Sequence, residues 1–242
     1  MELKNSTNAI SVQGLSLEYF EFKRSLKSPF GKRMPIRGLN KIDFDIPMGQ
    51  NTALIGKNGA GKSTLIKSLG GHLKPVKGNI SIKGKVITLA GVNPGFQFNR
   101  SSFWNVKKLG RAYGVREEEI ESFSAEIERF ADIGEAYYRQ FSGLSTGMRG
   151  KVGFGFITAL NPDILLIDET LGVGDIEFRK KAAERLNDFI NRSGTVLIST
   201  HSLGLAKSMC SHGILLEDGE LKMYGEISVV IEKYSEKNRR VG

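Results

Sequence analysis

The stretch Thr52-Ala53-Leu54-Ile55-Gly56-Lys57-Asn58-Gly59-Ala60-Gly61-Lys62-Ser63-Thr64 decides how the rest of the sequence is read. Thr52 to Ile55 is an apolar run short enough for a buried strand, and Leu65, Ile66 and Leu69 follow with helical spacing. Strand, glycine-rich loop and helix, in that order, form the context in which a G-x-x-x-x-G-K-[ST] pattern has physical meaning. Beginning at Gly56, the glycines let the backbone N–H groups of Asn58, Gly59, Ala60, Gly61 and Lys62 close around phosphate oxygens. The helix that starts near Lys62 offers its positive end to the same anion. Lys62 then neutralises the β and γ oxygens, and Ser63, with Thr64 beside it, supplies a hydroxyl ligand to Mg²⁺.

A site of this kind needs a carboxylate at the tip of a second buried strand. Ile164-Leu165-Leu166-Ile167 reads as that strand, and Asp168-Glu169 places two acids at its end. They can divide the labour: Asp168 reaches the metal through its water shell, while Glu169 orients and polarises an attacking water.

Outward from these anchors the strands and helices alternate. Ala182, Ala183, Leu186, Phe189 and Ile190 mark a helix, Thr195 to Ser199 a strand, and Ile214 to Tyr224 a hairpin, after which only a polar tail remains. Alternating strands and helices imply a mostly parallel sheet with its ligands at the carboxyl ends of the strands. Residues 101–143 read as a helical lobe, with Ile120, Phe123, Ile127 and Phe130 at three- and four-residue spacing behind the acidic start Glu117-Glu118-Glu119. Near the N-terminus, Ile10 to Leu17 and Ile42 to Ile46 alternate as half-buried antiparallel strands. Between them lie Lys23, Arg24, Lys27, Lys32, Arg33, Arg37 and Lys41, with no acid from Lys23 through Lys41. That segment reads either as a solvated basic loop or as a contact with anionic lipid or a phosphorylated substrate.

Composition sets the outer limits. The 242 residues are 40% hydrophobic and 25% charged, enough for one good core and an ordinary globular protein. No uncharged stretch approaches the ~20 apolar residues of a spanning helix. The start, Met1-Glu2-Leu3-Lys4, lacks the charged-then-apolar leader of a secreted protein. A single cysteine, Cys210, has no partner for a disulfide or a thiolate metal site, which suits a reducing compartment. The net charge of +9 admits nucleic acid, an anionic membrane or phosphorylated ligands as partners, without choosing among them.

The residues that follow resemble the ATP-binding subunits of ABC transporters. Leu144-Ser145-Thr146-Gly147-Met148 stands where that family carries its L-S-G-G-Q signature, with Met148 20 residues before Asp168. Ser145 can cap the helix behind it, whose N–H groups then face an anion. The resemblance implies that this anion is the γ-phosphate of an ATP held by a second subunit, contacted through Ser145, Thr146, Gly147 and Met148 in a head-to-tail homodimer. It also implies that His201 contacts the γ-phosphate, that Gln97 joins the metal to the helical lobe, that Tyr19 stacks on adenine with Phe20 and Phe22 as competitors, and that Asp175 lies in a loop crossing the dimer. The implied fold is α/β: a P-loop ATPase core with a mostly parallel sheet, an N-terminal antiparallel β region and an inserted helical subdomain. Residues 1–242 then form one nucleotide-binding domain, with core segments at about 1–98 and 148–242 and the helical insert at about 99–147.

Departures from the general signature narrow the branch. Thr146 and Met148 replace a glycine and a glutamine, and Gly95-Phe96-Gln97, Asn105-Val106, Met148 to Gly155 and Thr170 to Asp175 are similar to the subunits that power capsular polysaccharide export. Relatives that export O-antigen or teichoic acid share much of this. Some O-antigen members carry an added C-terminal sugar-binding domain, and the sequence ending at Gly242 without one favours the capsule type or a short O-antigen type. The implied cofactors are ATP and Mg²⁺. The implied partners are a second copy, a polytopic permease and, through the complex, a lipid-linked polysaccharide, at the cytoplasmic face of a bacterial inner membrane. A nucleic-acid-associated ABC ATPase is the alternative from another class, but one phosphate loop and no sustained heptad tract argue against it, and no nucleic acid partner is expected. A P-loop kinase or GTPase would leave the signature, Gln97 and His201 as coincidences.

Overall fold

A computed structural model describes residues 8–25, 28–90, 93–168, 175–192 and 194–239, with the side chains of 19–37, 90, 238 and 239 outside the description. The chain forms two compact units: Met1–Gly84 with Thr195–Gly242, and Lys85–Gly194.

In the first unit, β1 (Asn8–Ser25) lies between β2 (Ser28–Pro47) and β4 (Lys77–Ile82) in an antiparallel sheet. The register pairs Ile10 with Ile46, Val12 with Phe44, Leu15 with Ile42 and Leu17 with Leu39, so the apolar face of one strand meets that of the next. All eight side chains are buried. The basic segment differs from the expected loop. Its backbone continues the β1–β2 ribbon through Lys23 opposite Lys32 to Ser25 opposite Ser28, because strand pairing satisfies backbone groups that a loop would leave to water.

The same unit holds a second, mostly parallel set of strands. β3 (Asn51–Ile55) runs parallel to both β7 (Thr195–Ser199) and β8 (His212–Glu217), and β9 (Glu220–Glu226) returns antiparallel to β8. Asp218 and Gly219 both have positive φ at that hairpin's turn, as a tight right-twisted connection requires. The polar tail expected after the hairpin is instead helix α7 (Ile227–Arg239), with Ile227 and Val230 buried and Val230 3.0 Å from where a Cβ on Gly213 would stand. Helices α1 (Lys62–Leu69) and α6 (Leu203–Met209) complete this unit.

Cys210 is buried at the end of α6, and burial pushes its thiol up to about 12. Iodoacetamide at pH 8 is therefore expected to label the unfolded chain rapidly and the folded chain hardly at all; rapid labelling of folded protein would contradict this burial. The native thiol holds its proton more tightly than an unfolded thiol near ~8.5. Its contribution to stability is accordingly full below that value and lost as the pH climbs through the raised native value.

In the second unit, β5 (Val86–Ala90) pairs in parallel with β6 (Ile164–Asp168), Ala90 opposite Asp168. Helices α2 (Ser102–Ala112), α3 (Ile120–Ala131), α4 (Thr146–Ala159) and α5 (Ile176–Asn191) accompany them. The expected α3 stripe of Ile120, Phe123, Ile127 and Phe130 is buried. An aromatic core joins it: Phe96 meets Phe141 and Phe156 edge-to-face at 5.2 and 5.3 Å, and Phe123 meets Phe156 at 5.7 Å. Among the described residues no helix is long and apolar enough to cross a membrane.

Candidate functional site

The first unit brings the phosphate loop and His201 to one edge. β3 and β7 are parallel, with Leu54 opposite Ser199, so the loop after β3 and the residues after β7 both leave from carboxyl ends. His201 follows Thr200 there and is exposed. The loop's shape is dictated by its glycines. A Cβ on Gly56 would stand 2.4 Å from the carbonyl oxygen of Leu216, so only glycine fits where the loop leaves the sheet. Gly61 has φ of +103°, which L side chains rarely adopt.

This geometry suits an anion. Gly61 precedes α1 and offers no side-chain cap, so the first-turn N–H donors of the helix are presented around Lys62 without a capping side chain. Lys62 is 5% exposed, and its ammonium donates to the carbonyls of Gly56 at 2.8 Å and Lys57 at 3.1 Å. A buried ammonium beside the N–H groups of a helix N-terminus suits a bound phosphate. Ser63 is exposed and Thr64 half-buried beside it.

The second unit carries the other residues. Asp168 is half-buried at the carboxyl end of β6. Gln97 is exposed, and its backbone is gripped by Asn105: the Gln97 N–H donates to Asn105 Oδ1 at 2.7 Å, and Asn105 Nδ2 donates to the Gln97 carbonyl at 2.9 Å. Asn105, quoted from sequence only as a branch feature, is thus what fixes the turn bearing Gln97, a role no local pattern announces. Ser145 caps α4 as expected, its Oγ accepting from the Met148 N–H at 3.2 Å. Ser145 and Thr146 are exposed, and Gly147 and Met148 half-buried. Arg149 donates to the carbonyls of Phe141 at 3.0 Å and Ser142 at 2.6 Å and lies over the Phe98 ring, which steadies the turn before the cap. Asp175 caps α5, accepting from the Phe178 N–H at 2.8 Å. Glu169 and residues 170–174 lie outside the described residues, as does the side chain of Tyr19, whose backbone pairs with Ile36.

Metal chemistry follows from the donors. Among the described residues no group of three or more His, Cys, Asp or Glu could hold an ion alone. Ser63 carries a hydroxyl, Asp168 a carboxylate and Gln97 an amide, each the kind of hard oxygen donor that Mg²⁺ accepts.

Residues 39–172 match the ABC transporter family. The teichoic acids export ATP-binding protein TagH of Bacillus anthracis is 37% identical over 198 residues, which are 82% of this chain and 36% of that protein. The protein of the same name from Listeria monocytogenes serotype 4b (strain F2365) is 32% identical over 234 residues, 94% of this chain and 70% of its own length. The chain therefore spans little more than a third of the B. anthracis relative and over two thirds of the L. monocytogenes one. An ATP-binding subunit of an ABC transporter has a similar structure, with a TM-score of 0.77, 25% identity and coverage of 94% of this chain and 93% of that one. An ATP-binding cassette solved as a dimer in a post-hydrolysis state with ADP and Pi gives a TM-score of 0.75 at 21% identity, covering 90% of this chain and 98% of that one. Both show the α/β cassette fold expected from the sequence.

Proposed function

The chain belongs to the ABC transporter family, and from that premise we propose that it binds and hydrolyses ATP to drive export of a teichoic acid through a separate membrane partner. The phosphate loop carries the ATPase reading: a buried Lys62, an uncapped helix start and glycines that no other residue replaces gather on one short segment. The cargo reading is supported by relatives named for teichoic acid export at 37% and 32% identity. They put teichoic acid ahead of the capsular polymer that the loop and signature residues favour, and ahead of O-antigen.

In this reading Lys62 and the N–H groups of Asn58 to Lys62 hold the β and γ phosphates of ATP. Ser63, Asp168 and Gln97 would hold Mg²⁺, which supplies charge neutralisation for those phosphates. Glu169 takes a proton from the attacking water, and His201 steadies that water at the γ-phosphate. Two copies pair head to tail, so that Ser145 and Gly147 of one close on the ATP of the other. The partner docks near Gln97 and the helical segment, with the chain peripheral on the cytoplasmic face.

The test is recovery from native membranes. Tagged Glu169→Gln protein is held closed with ATP, purified from detergent extracts and analysed by mass spectrometry for proteins and lipid-linked polymer. Recovery of a polytopic membrane protein with a polyol-phosphate glycan is the expected result. A capsule or O-antigen glycan would replace the cargo assignment, and nucleic acid or ribosomal protein without a membrane partner would overturn transport itself.

A further inference from the structure

The turn bearing Gln97 is held by two side-chain amides. Asn93 grips the residue before it: its Oδ1 accepts from the N–H groups of Gly95 and Phe96, and its Nδ2 donates to the Phe96 carbonyl at 3.1 Å. Phe96 is itself buried in the aromatic core against Phe141 and Phe156. Asn105 grips Gln97 in the same two-sided way, and its Nδ2 is shared with the carbonyls of Ser101 at 3.0 Å and, more distantly, Arg100 at 3.4 Å. The N–H and the carbonyl of Phe96 and of Gln97 are thus each engaged by a side-chain amide. Asn105 is 1% exposed in the first turns of α2, with Val106 buried beside it. Asparagine is a poor helix former, and a buried amide is costly unless it is bonded, so packing alone would place an apolar residue there. What the asparagine supplies is a donor and an acceptor side by side, matched to one peptide backbone.

Gln97 is exposed, so packing does not fix its side chain; the place from which that side chain leaves the turn is set by the backbone that Asn105 holds. We propose that Asn105 is a positioning residue for the metal: by holding both backbone polar groups of Gln97 it sets the position from which Gln97 serves Mg²⁺. This rests on the reading above in which Gln97 is a ligand. Groups that orient a metal ligand matter on the order of 10–100-fold to metal affinity without touching the ion. Asn105 touches neither ATP nor metal in this role, and the phosphate loop is built from other residues. Its loss therefore acts on the metal requirement and spares nucleotide binding without metal.

The test uses the full chain and three readouts that need no turnover. They are amide hydrogen exchange at Gln97 in ligand-free protein, binding of a fluorescent non-hydrolysable ATP analogue in EDTA, and the Mg²⁺ concentration that half-saturates the rise in melting temperature at saturating analogue. Asn105→Leu keeps the side-chain volume and removes the clamp. It is expected to speed exchange at Gln97 and to raise the Mg²⁺ midpoint about tenfold, while the analogue's Kd in EDTA stays within about twofold. Gln97→Ala should raise the midpoint at least as far, and the double variant should shift no further than Gln97→Ala alone. Asn105→Asp keeps the acceptor, loses both donors and should raise the midpoint as well. Val106→Ala opens a cavity beside the clamp and lowers the melting temperature, but should leave the midpoint within about twofold. A midpoint within about twofold of wild type in Asn105→Leu, or in Asn105→Asp should the leucine variant not fold, overturns the proposal. Strictly additive shifts in the double variant overturn it too, as does an equal shift in Val106→Ala, which would show general damage to α2. An unmoved midpoint in Gln97→Ala is read separately: it removes Gln97 from the metal, and with it the reading on which the proposal rests.

Discussion

Lys62→Ala loses ATP hydrolysis altogether and binds nucleotide at least ~100-fold more weakly, a measurement made by titrating a fluorescent ATP analogue and by steady-state phosphate release. The ammonium is nine-tenths withdrawn from water and is held by the carbonyls of Gly56 and Lys57. A phosphate entering the loop gives that ammonium a charge-assisted hydrogen-bond partner. Alanine removes that pairing and leaves two loop carbonyls without their donor, each unsatisfied group costing about 1–3 kcal/mol where water cannot replace it. Lys62→Arg is no rescue, because a planar fork is too large for a site built around a compact point charge. Unaltered affinity in Lys62→Ala would mean that the loop does not hold the phosphates at all.

What could be read in advance follows the range of the forces concerned. The phosphate loop, the acidic strand tip, the α3 stripe and the Ser145 cap are local: spacing of glycines and apolar residues, or one hydroxyl three residues from its N–H partner, determines each. The β1–β2 ribbon was less legible. Seven basic residues without an acid look like solvated loop, and nothing local says that the backbone pairs through them as far as Ser25 and Ser28. The same holds for α7, where Ile227 and Val230, buried among the described residues, carry the helix into the core. Asn105 was hidden for another reason. Its partner, the Gln97 backbone, is named only once the chain has folded. Cargo lies further out still: the choice between capsule and teichoic acid turns on relatives and not on site chemistry.

Gly61→Ala separates the fold's demand on the loop from the ligand's. The residue has φ of +103°, and a Cβ there would stand 2.8 Å from Leu39 Cδ2 and 2.9 Å from the Gly38 carbonyl oxygen. Left-handed backbone costs an L-residue about 1–2 kcal/mol. Overpacking against the buried Leu39 and a fixed carbonyl adds a further ~1–3 kcal/mol. For a chain of this size the apparent Tm of ligand-free protein should fall on the order of 10 °C. Gly59→Ala is the matched comparison. It has φ of +81° but nothing within 4 Å of its Cβ position, so it carries the backbone strain without the clash. Its melting shift should be less than half as large. The two variants should nonetheless agree in losing nucleotide-dependent stabilisation, since either way the N–H groups that wrap the phosphates are turned from their directions. A Gly61→Ala protein that melts with the wild type would show that Leu39 and Gly38 can give way. One that melts low but is still raised fully by ATP would move the anion site away from the loop, because a distorted cradle cannot hold its ligand with undiminished affinity.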